Sequence, residues 1–289
     1  VNSAVHGIAW SPDNRKLAIS TADNIVQVFG PSVPGVQPPV ELVLHQQFTT
    51  EAAVTKILFS PDSRFLWTSL GNGRIDEWGY AAPEQRRQFN HGGPVYGVAV
   101  SRDGSVVVSC STDQTVRVWD TVSGQQRFQL NGHQGAVHAV AMSPDETFAV
   151  SSGADGTLRL WDIVGGRQLK QLTTFDATMY SVAIHPQGAL IAAAGADRKV
   201  HLLDMISGLE QQTLTGHSDY IHCVTFRPGG EQLLSYGYAG HMKLWKTVDG
   251  RLLEESQVGR IGNYAQFSPD GHLVVVANGD GTARIQQIP

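Results

Sequence analysis

The sequence predicts an all-β protein, a β-propeller of seven four-stranded antiparallel blades packed radially in a ring. Three observations predict it. Ser-Pro-Asp, or a near relative, recurs at Ser11, Ser60, Ser101, Ser143, His185, Arg227 and Ser268, at steps of 49, 41, 42, 42, 42 and 41 residues. Repeats of that length mark propellers and solenoids. Each interval holds four short strand-like runs, three rich in β-branched or apolar residues and one alternating, and none carries a 3.6-residue apolar period long enough for a helix. Glycine is 31 of 289 residues, well above the roughly 7% average, as many tight turns require.

The fourth unit shows each element in order. Val137 to Met142 is a β-branched and apolar run, and Ser143-Pro-Asp145 turns the chain. Phe148 to Ser152 is the second strand, and Gly153-Ala-Asp-Gly156 is the next turn. Thr157 to Trp161 alternates, with Leu158 and Leu160 on one face and Thr157, Arg159 and Trp161 on the other. After Gly165-Gly166, Arg167 to Leu172 closes the unit. Corresponding units start near residues 5, 54, 95, 137, 179, 221 and 262, so residues 1–289 read as one propeller. A four-stranded sheet cannot bury both faces alone, whereas a ring of seven buries each against a neighbour.

Composition narrows the function classes. Charged residues are 16% and net charge is −5 with no long run of either sign, so nothing predicts a nucleic-acid partner. Apolar stretches such as Ala189 to Ala194 fall far short of the ~20 residues of a membrane helix, and no membrane partner is expected. Cys110 and Cys223 sit in apolar runs and read as small core residues, leaving the compartment open. Phosphate-binding loops, His-Glu-x-x-His and Gly-x-Ser-x-Gly are all missing from the sequence. No catalytic, cofactor or metal residue is therefore assigned.

Gly132-His133, Ser143-Pro-Asp145, Asp155 and Trp161-Asp162 form one complete motif, with a second Gly-His at Gly216-His217 and a second Trp-Asp at Trp119-Asp120. On these residues the whole chain resembles the WD-repeat (WD40) β-propellers. The resemblance implies a structural tetrad of His, Ser or Thr, Asp and Trp within a blade. Residue by residue it falls on His91, Ser109, Asp113 and Trp119 in the third unit, and on His133, Ser151, Asp155 and Trp161 in the fourth. The sixth unit has His217, Ser235 and Trp245, with Ala239 in place of Asp. The second keeps Thr68 and Trp78, with Asn72 at the Asp position. The first, fifth and seventh keep Asp23, Asp197 and Asp280 but have Phe29, Leu203 and Gln286 for Trp. The third and fourth blades are thus expected to be the most strongly cross-linked. The recurring tetrad, rather than a hydrolase triad, accounts for these Ser, His and Asp residues.

Two departures stand out. A Pro-rich stretch, Gly30 to Pro39, lengthens the first step and reads as a solvated loop or a docking loop. The sequence ends after the third strand of unit seven. The seventh blade is therefore expected either to lack its outer strand, leaving an edge open to association, or to draw it from sequence outside this chain. The Val start points the same way, to a piece of a longer protein.

The second residues of the innermost strands are His6, Thr55, Tyr96, His138, Tyr180, His222 and Asn263. If the strands are in register, these face one mouth of the axial channel, with Tyr220 and Phe175 nearby. Tyr and His offer apolar area with a polar tip, which suits a peptide-docking rim. Tyr236, Tyr238 and His241 form an aromatic-rich spot on the same end, a second patch for a partner or local packing. The resemblance implies a non-catalytic scaffold for protein or peptide partners, or a regulatory domain appended to an enzyme. An enzyme using the channel would need clustered carboxylates or a metal set at its mouth.

Overall fold

The computed structural model describes residues 3–31, 42–79 and 84–288. Each repeat is an antiparallel meander whose strands pair in sequence order. The innermost strands are Val5–Trp10, Val54–Phe59, Val95–Val100, Val137–Met142, Met179–Ile184, Ile221–Phe226 and Gly262–Phe267. Among the described residues six blades have four strands, and the seventh has three: Gly262–Phe267, Leu273–Asn278 and Ala283–Gln287. No helix occurs among them. The Pro-rich stretch falls outside the described residues except for Gly30 and Pro31.

The Ser-Pro-Asp repeat closes the turn between the first and second strands. In blade 4 the Ser143 hydroxyl donates to Asp145 Oδ1 (2.5 Å) and accepts the Phe148 N–H (3.0 Å). Blade 7 repeats this with Ser268, Asp270 and Leu273. The next residue in each unit takes a left-handed conformation, from Asn14 (φ 59°) and Glu146 (φ 60°) to Gly271 (φ 76°). Glycine reaches that region without steric cost, which is why it recurs there.

Seven buried clusters fill the seven blade interfaces. Between blades 4 and 5, Val150, Leu158 and Leu160 meet Met179, Val182 and Ile191. Between blades 7 and 1, Leu273, Val275 and Ala277 meet Val5, Ile8, Trp10, Leu17 and Ile19. The ring therefore closes through side-chain packing. Polar contacts reinforce the closure: Asn263 Nδ2 donates to the Val5 carbonyl (2.7 Å), and the Trp10 N–H donates to Gln266 Oε1 (3.1 Å). Because each blade is sandwiched, both faces of the third strand are covered, and Thr157, Arg159 and Trp161 are buried along with Leu158 and Leu160. The alternation marks two buried faces rather than one buried and one wet.

Blade 7 departs from this pattern. Ile285 pairs with Val275 as Leu160 pairs with Val150, yet it is 42% exposed where Leu160 is 6%. No outer strand covers it among the described residues.

Candidate functional site at the channel mouth

A bulge in every blade aims one side chain into the axial channel. Val5 pairs with Thr21 and Gly7 with Ser20, so His6 is skipped. The same skip leaves out Thr55, Tyr96, His138, Tyr180, His222 and Asn263. A bulged residue leaves the ladder and its side chain is redirected. All seven line one cavity of about 170 Å³, together with Lys56, Ser181 and Tyr264.

The seven are not equivalent. Thr55 Oγ1 donates to the Ser69 carbonyl (2.9 Å) and lies against the Val95 carbonyl. Asn263 is bound to Val5 as described above. Blades 3 to 6 instead present a continuous arc of rings. Tyr96 stacks on His138 with centroids 5.3 Å apart, His138 meets Tyr180 edge-on at 5.3 Å, and Tyr180 meets His222 at 5.2 Å. Tyr238 extends the arc from His222 (5.5 Å), and Tyr220 flanks Tyr180 (6.4 Å). Tyr96, Tyr220 and Tyr238 are 37%, 47% and 43% exposed, so the arc opens to solvent. Burial, with mutual repulsion between the two rings acting on His138, holds His138 and His222 below the usual imidazole range. Neutral rings at pH 7 keep the arc apolar in body and polar only at its tips. No group of three or more His, Cys, Asp or Glu among the described residues is placed to hold a metal ion.

Three of the sequence-derived candidates lie elsewhere. Tyr236 is fully buried between blades 6 and 7, its hydroxyl donating to Asn278 Oδ1, and so offers no surface to a partner. The second strand of blade 6 runs to Gly237, carrying Tyr236 inside the sheet rather than into the turn. His241 opens the third strand and faces Glu255 (3.5 Å). Phe175 stands where the tetrad histidine sits in blade 4 and packs on His201 (4.2 Å).

The tetrad residues meet within their blades to different extents. In blade 4 His133 Nδ1 lies 3.0 Å from both Asp155 oxygens, Nε2 lies 2.7 Å from Ser151 Oγ, and Trp161 Nε1 donates to Ser151 Oγ (2.8 Å). The carboxylate only accepts, so Nδ1 carries the proton and the serine hydroxyl donates to Nε2. Blade 3 is broken at one link. Trp119 Nε1 donates to Ser109 (2.8 Å) and His91 Nδ1 meets Asp113 (3.0 Å), but buried His91 Nε2 has no side-chain partner among the described residues. Blade 6 keeps His217–Ser235 (2.7 Å) and Trp245–Ser235 (2.8 Å), with Ala239 where the carboxylate would be. Burial, aided by Lys243, pushes His217 down to about 4. Blade 5 has exchanged the arrangement. His201 on the third strand bridges Asp197 (2.6 Å) and Glu210 (2.7 Å). Burial opposes its charge, but the two carboxylates outweigh burial and raise it above the usual range.

The model of the WD domain, G-beta repeat, matches residues 2–29, 83–120, 124–162, 166–204 and 208–246, together more than half of the chain. The chain belongs to the WD40 repeat family. Stretches of this WD40 chain resemble characterised proteins. The target of rapamycin complex subunit wat1 of Schizosaccharomyces pombe is 28% identical over 119 residues, 41% of this chain and 36% of the relative. The human serine-threonine kinase receptor-associated protein is 26% identical over 125 residues, covering 43% and 33%. The poly(A)+ RNA export protein of S. pombe is 29% identical over 111 residues, covering 37% and 28%. The matched part spans about a third of the length of each relative. At the level of the family, a WD40 propeller with such relatives fits a protein-interaction scaffold.

Lys56 was not among the candidates taken from the sequence. It shares the channel cavity, and its ammonium lies 3.4 Å from the centroid of the Tyr264 ring. The available signal is register: the third residues of the other innermost strands are Gly7, Gly97, Ala139, Ser181, Cys223 and Tyr264, so a lysine in that series is out of place.

Proposed function

We propose that this propeller is a non-catalytic recognition module that docks protein or peptide partners at the channel mouth. The carrying observation is the unbroken arc Tyr96–His138–Tyr180–His222–Tyr238, open to solvent and flanked by Tyr220. Exposed aromatic residues grouped around a recess bind at low entropic cost, because their rings have few rotors to freeze. Two of the relatives, a complex subunit and a receptor-associated protein, agree with such a role.

The test is a selection of phage-displayed random peptides on the immobilised protein. Peptides bound by the parent protein are expected to lose about tenfold or more in affinity for the double variant Tyr180→Ala, His222→Ala. The melting temperature should fall by no more than a few degrees, since both side chains line the cavity rather than an interface cluster. Undiminished binding by the variant would remove the channel mouth as the docking surface.

The blade 7 edge supports a second reading. Ala283–Gln287 has no outer partner strand among the described residues and carries an exposed Ile285, a surface suited to accept a strand from another chain or from flanking sequence. Sedimentation velocity is expected to show association that grows with concentration and is lost in Ile285→Lys. A single monomeric species at every concentration, unchanged by the substitution, would argue against an adhesive edge.

A further inference from the structure

The cavity lined by the aromatic arc also holds an ammonium that has no counter-charge among the described residues. Lys56 projects from the innermost strand of blade 2 and reaches past blade 1, which carries Gly7 at that register, to Tyr264 of blade 7. No Asp or Glu among the described residues lines the cavity. The contact with the Tyr264 face is the one charge-stabilising interaction of its ammonium found among the described residues. Burial pushes the amine down to about 8, and no carboxylate among the described residues opposes that shift. A cation–π contact attracts a cation but supplies no negative charge, so the lysine is poised for an anion entering the channel.

Dimensions set what can enter. Sites for whole small molecules enclose roughly 300–1,000 Å³. This cavity is about 170 Å³, room for one side chain rather than a cofactor. Its lining combines rings that would pack against methylene groups with the ammonium of Lys56. We infer that the channel takes the side chain of a glutamate or aspartate from a docked peptide, its methylenes against the Tyr180 and His222 rings and its carboxylate accepting a hydrogen bond from Lys56 Nζ. This deepens the docking proposal and rests on it.

The test uses the same phage selection, in which fusion blocks the peptide C-terminus and leaves acidic side chains as the carboxylate source. The selected peptides are expected to share one Glu or Asp position. In synthetic, C-terminally amidated peptides, changing that position to Gln or Asn is expected to weaken binding to the parent protein by about tenfold or more. Lys56→Met is expected to bind the acidic and amide forms equally, and Lys56→Arg to keep the preference for the acid. Lys56→Gln serves the same comparison if the methionine variant does not fold. Selected peptides that need Tyr180 but share no acidic position would overturn the inference and leave the docking surface standing. So would an acid preference that persists in Lys56→Met. Failure to select any Tyr180-dependent peptide would overturn the docking reading and this inference together.

Discussion

Ser151→Ala is expected to destabilise the protein by about 2–4 kcal/mol, and Ser109→Ala by about 1–2 kcal/mol. The two serines occupy the same place in adjacent blades, and both are fully buried. Ser151 Oγ holds two buried partners, accepting from Trp161 Nε1 and donating to His133 Nε2. Its removal strands an indole N–H and an imidazole nitrogen, each at the cost of an unsatisfied buried group, about 1–3 kcal/mol. Among the described residues the Ser109 hydroxyl holds only Trp119 Nε1, because His91 Nε2 does not reach it. The contrast isolates one link of the network, since the substitution and its surroundings are otherwise matched. Urea midpoints measured for both variants at pH 7.5 read the difference directly. Equal losses would mean that the His133–Ser151 bond carries no weight and that the serines matter only as anchors for tryptophan.

The regular spacing of Ser143-Pro-Asp145 and its relatives made the blades legible, because that turn fixes where each second strand begins. Tetrad membership was legible in composition but not in connection. His91, Ser109, Asp113 and Trp119 are all present, yet the broken His91–Ser109 link depends on positions finer than residue spacing. Tyr236 was misplaced because the boundary between strand and turn decides whether an aromatic faces solvent or an interface, and sequence spacing leaves that boundary open by a residue or two. The channel ring was legible as a register, while the bulge that turns Tyr96, His138, Tyr180 and His222 inward was not. A bulge is a property of the ladder, and no residue type is required at the skipped position. A cation column is also present in the spacing: Arg117, Arg159, His201 and Lys243 recur at 42-residue steps on the third strands. In blades 3 to 5 the cation pairs with its own blade's aspartate, as in Arg117–Asp113 (3.0 Å). In blade 6, where Ala239 replaces that aspartate, Lys243 turns to Glu255 (2.6 Å).

That substitution also sets an acid weakness in blade 6. His217 is neutral and buried, its pKa lowered from 6.5 to about 4 by burial first and Lys243 second. Above pH 6.5 the histidine is neutral in both folded and unfolded chains and has no effect on the balance. As pH falls from 6.5 towards 4, the unfolded chain binds a proton that the folded chain refuses, and stability declines. A drop of this size corresponds to about 3 kcal/mol, fully lost near pH 4. Ala239→Asp places a carboxylate where Asp155 stands beside His133 in blade 4, favouring the imidazolium and raising the His217 pKa. The variant is therefore expected to match or exceed the parent at pH 7.5 and to lose about 1–2 kcal/mol less on acidification to pH 4.5. His91 and His133 also lie below the usual range, so the parent's acid loss is shared among blades, and only the blade 6 portion should respond. The aspartates act in a separate window. Asp113, held down to about 2 by its Thr115 and His91 hydrogen bonds against the opposing effect of burial, contributes stability that is lost only below about pH 4. Urea midpoints for the two proteins between pH 7.5 and 4.5 separate these possibilities. Parallel curves would show that His217 titrates normally and that the lost aspartate has no energetic consequence; a shallower curve for Ala239→Asp locates the acid sensitivity of the ring in the blade that gave up its carboxylate.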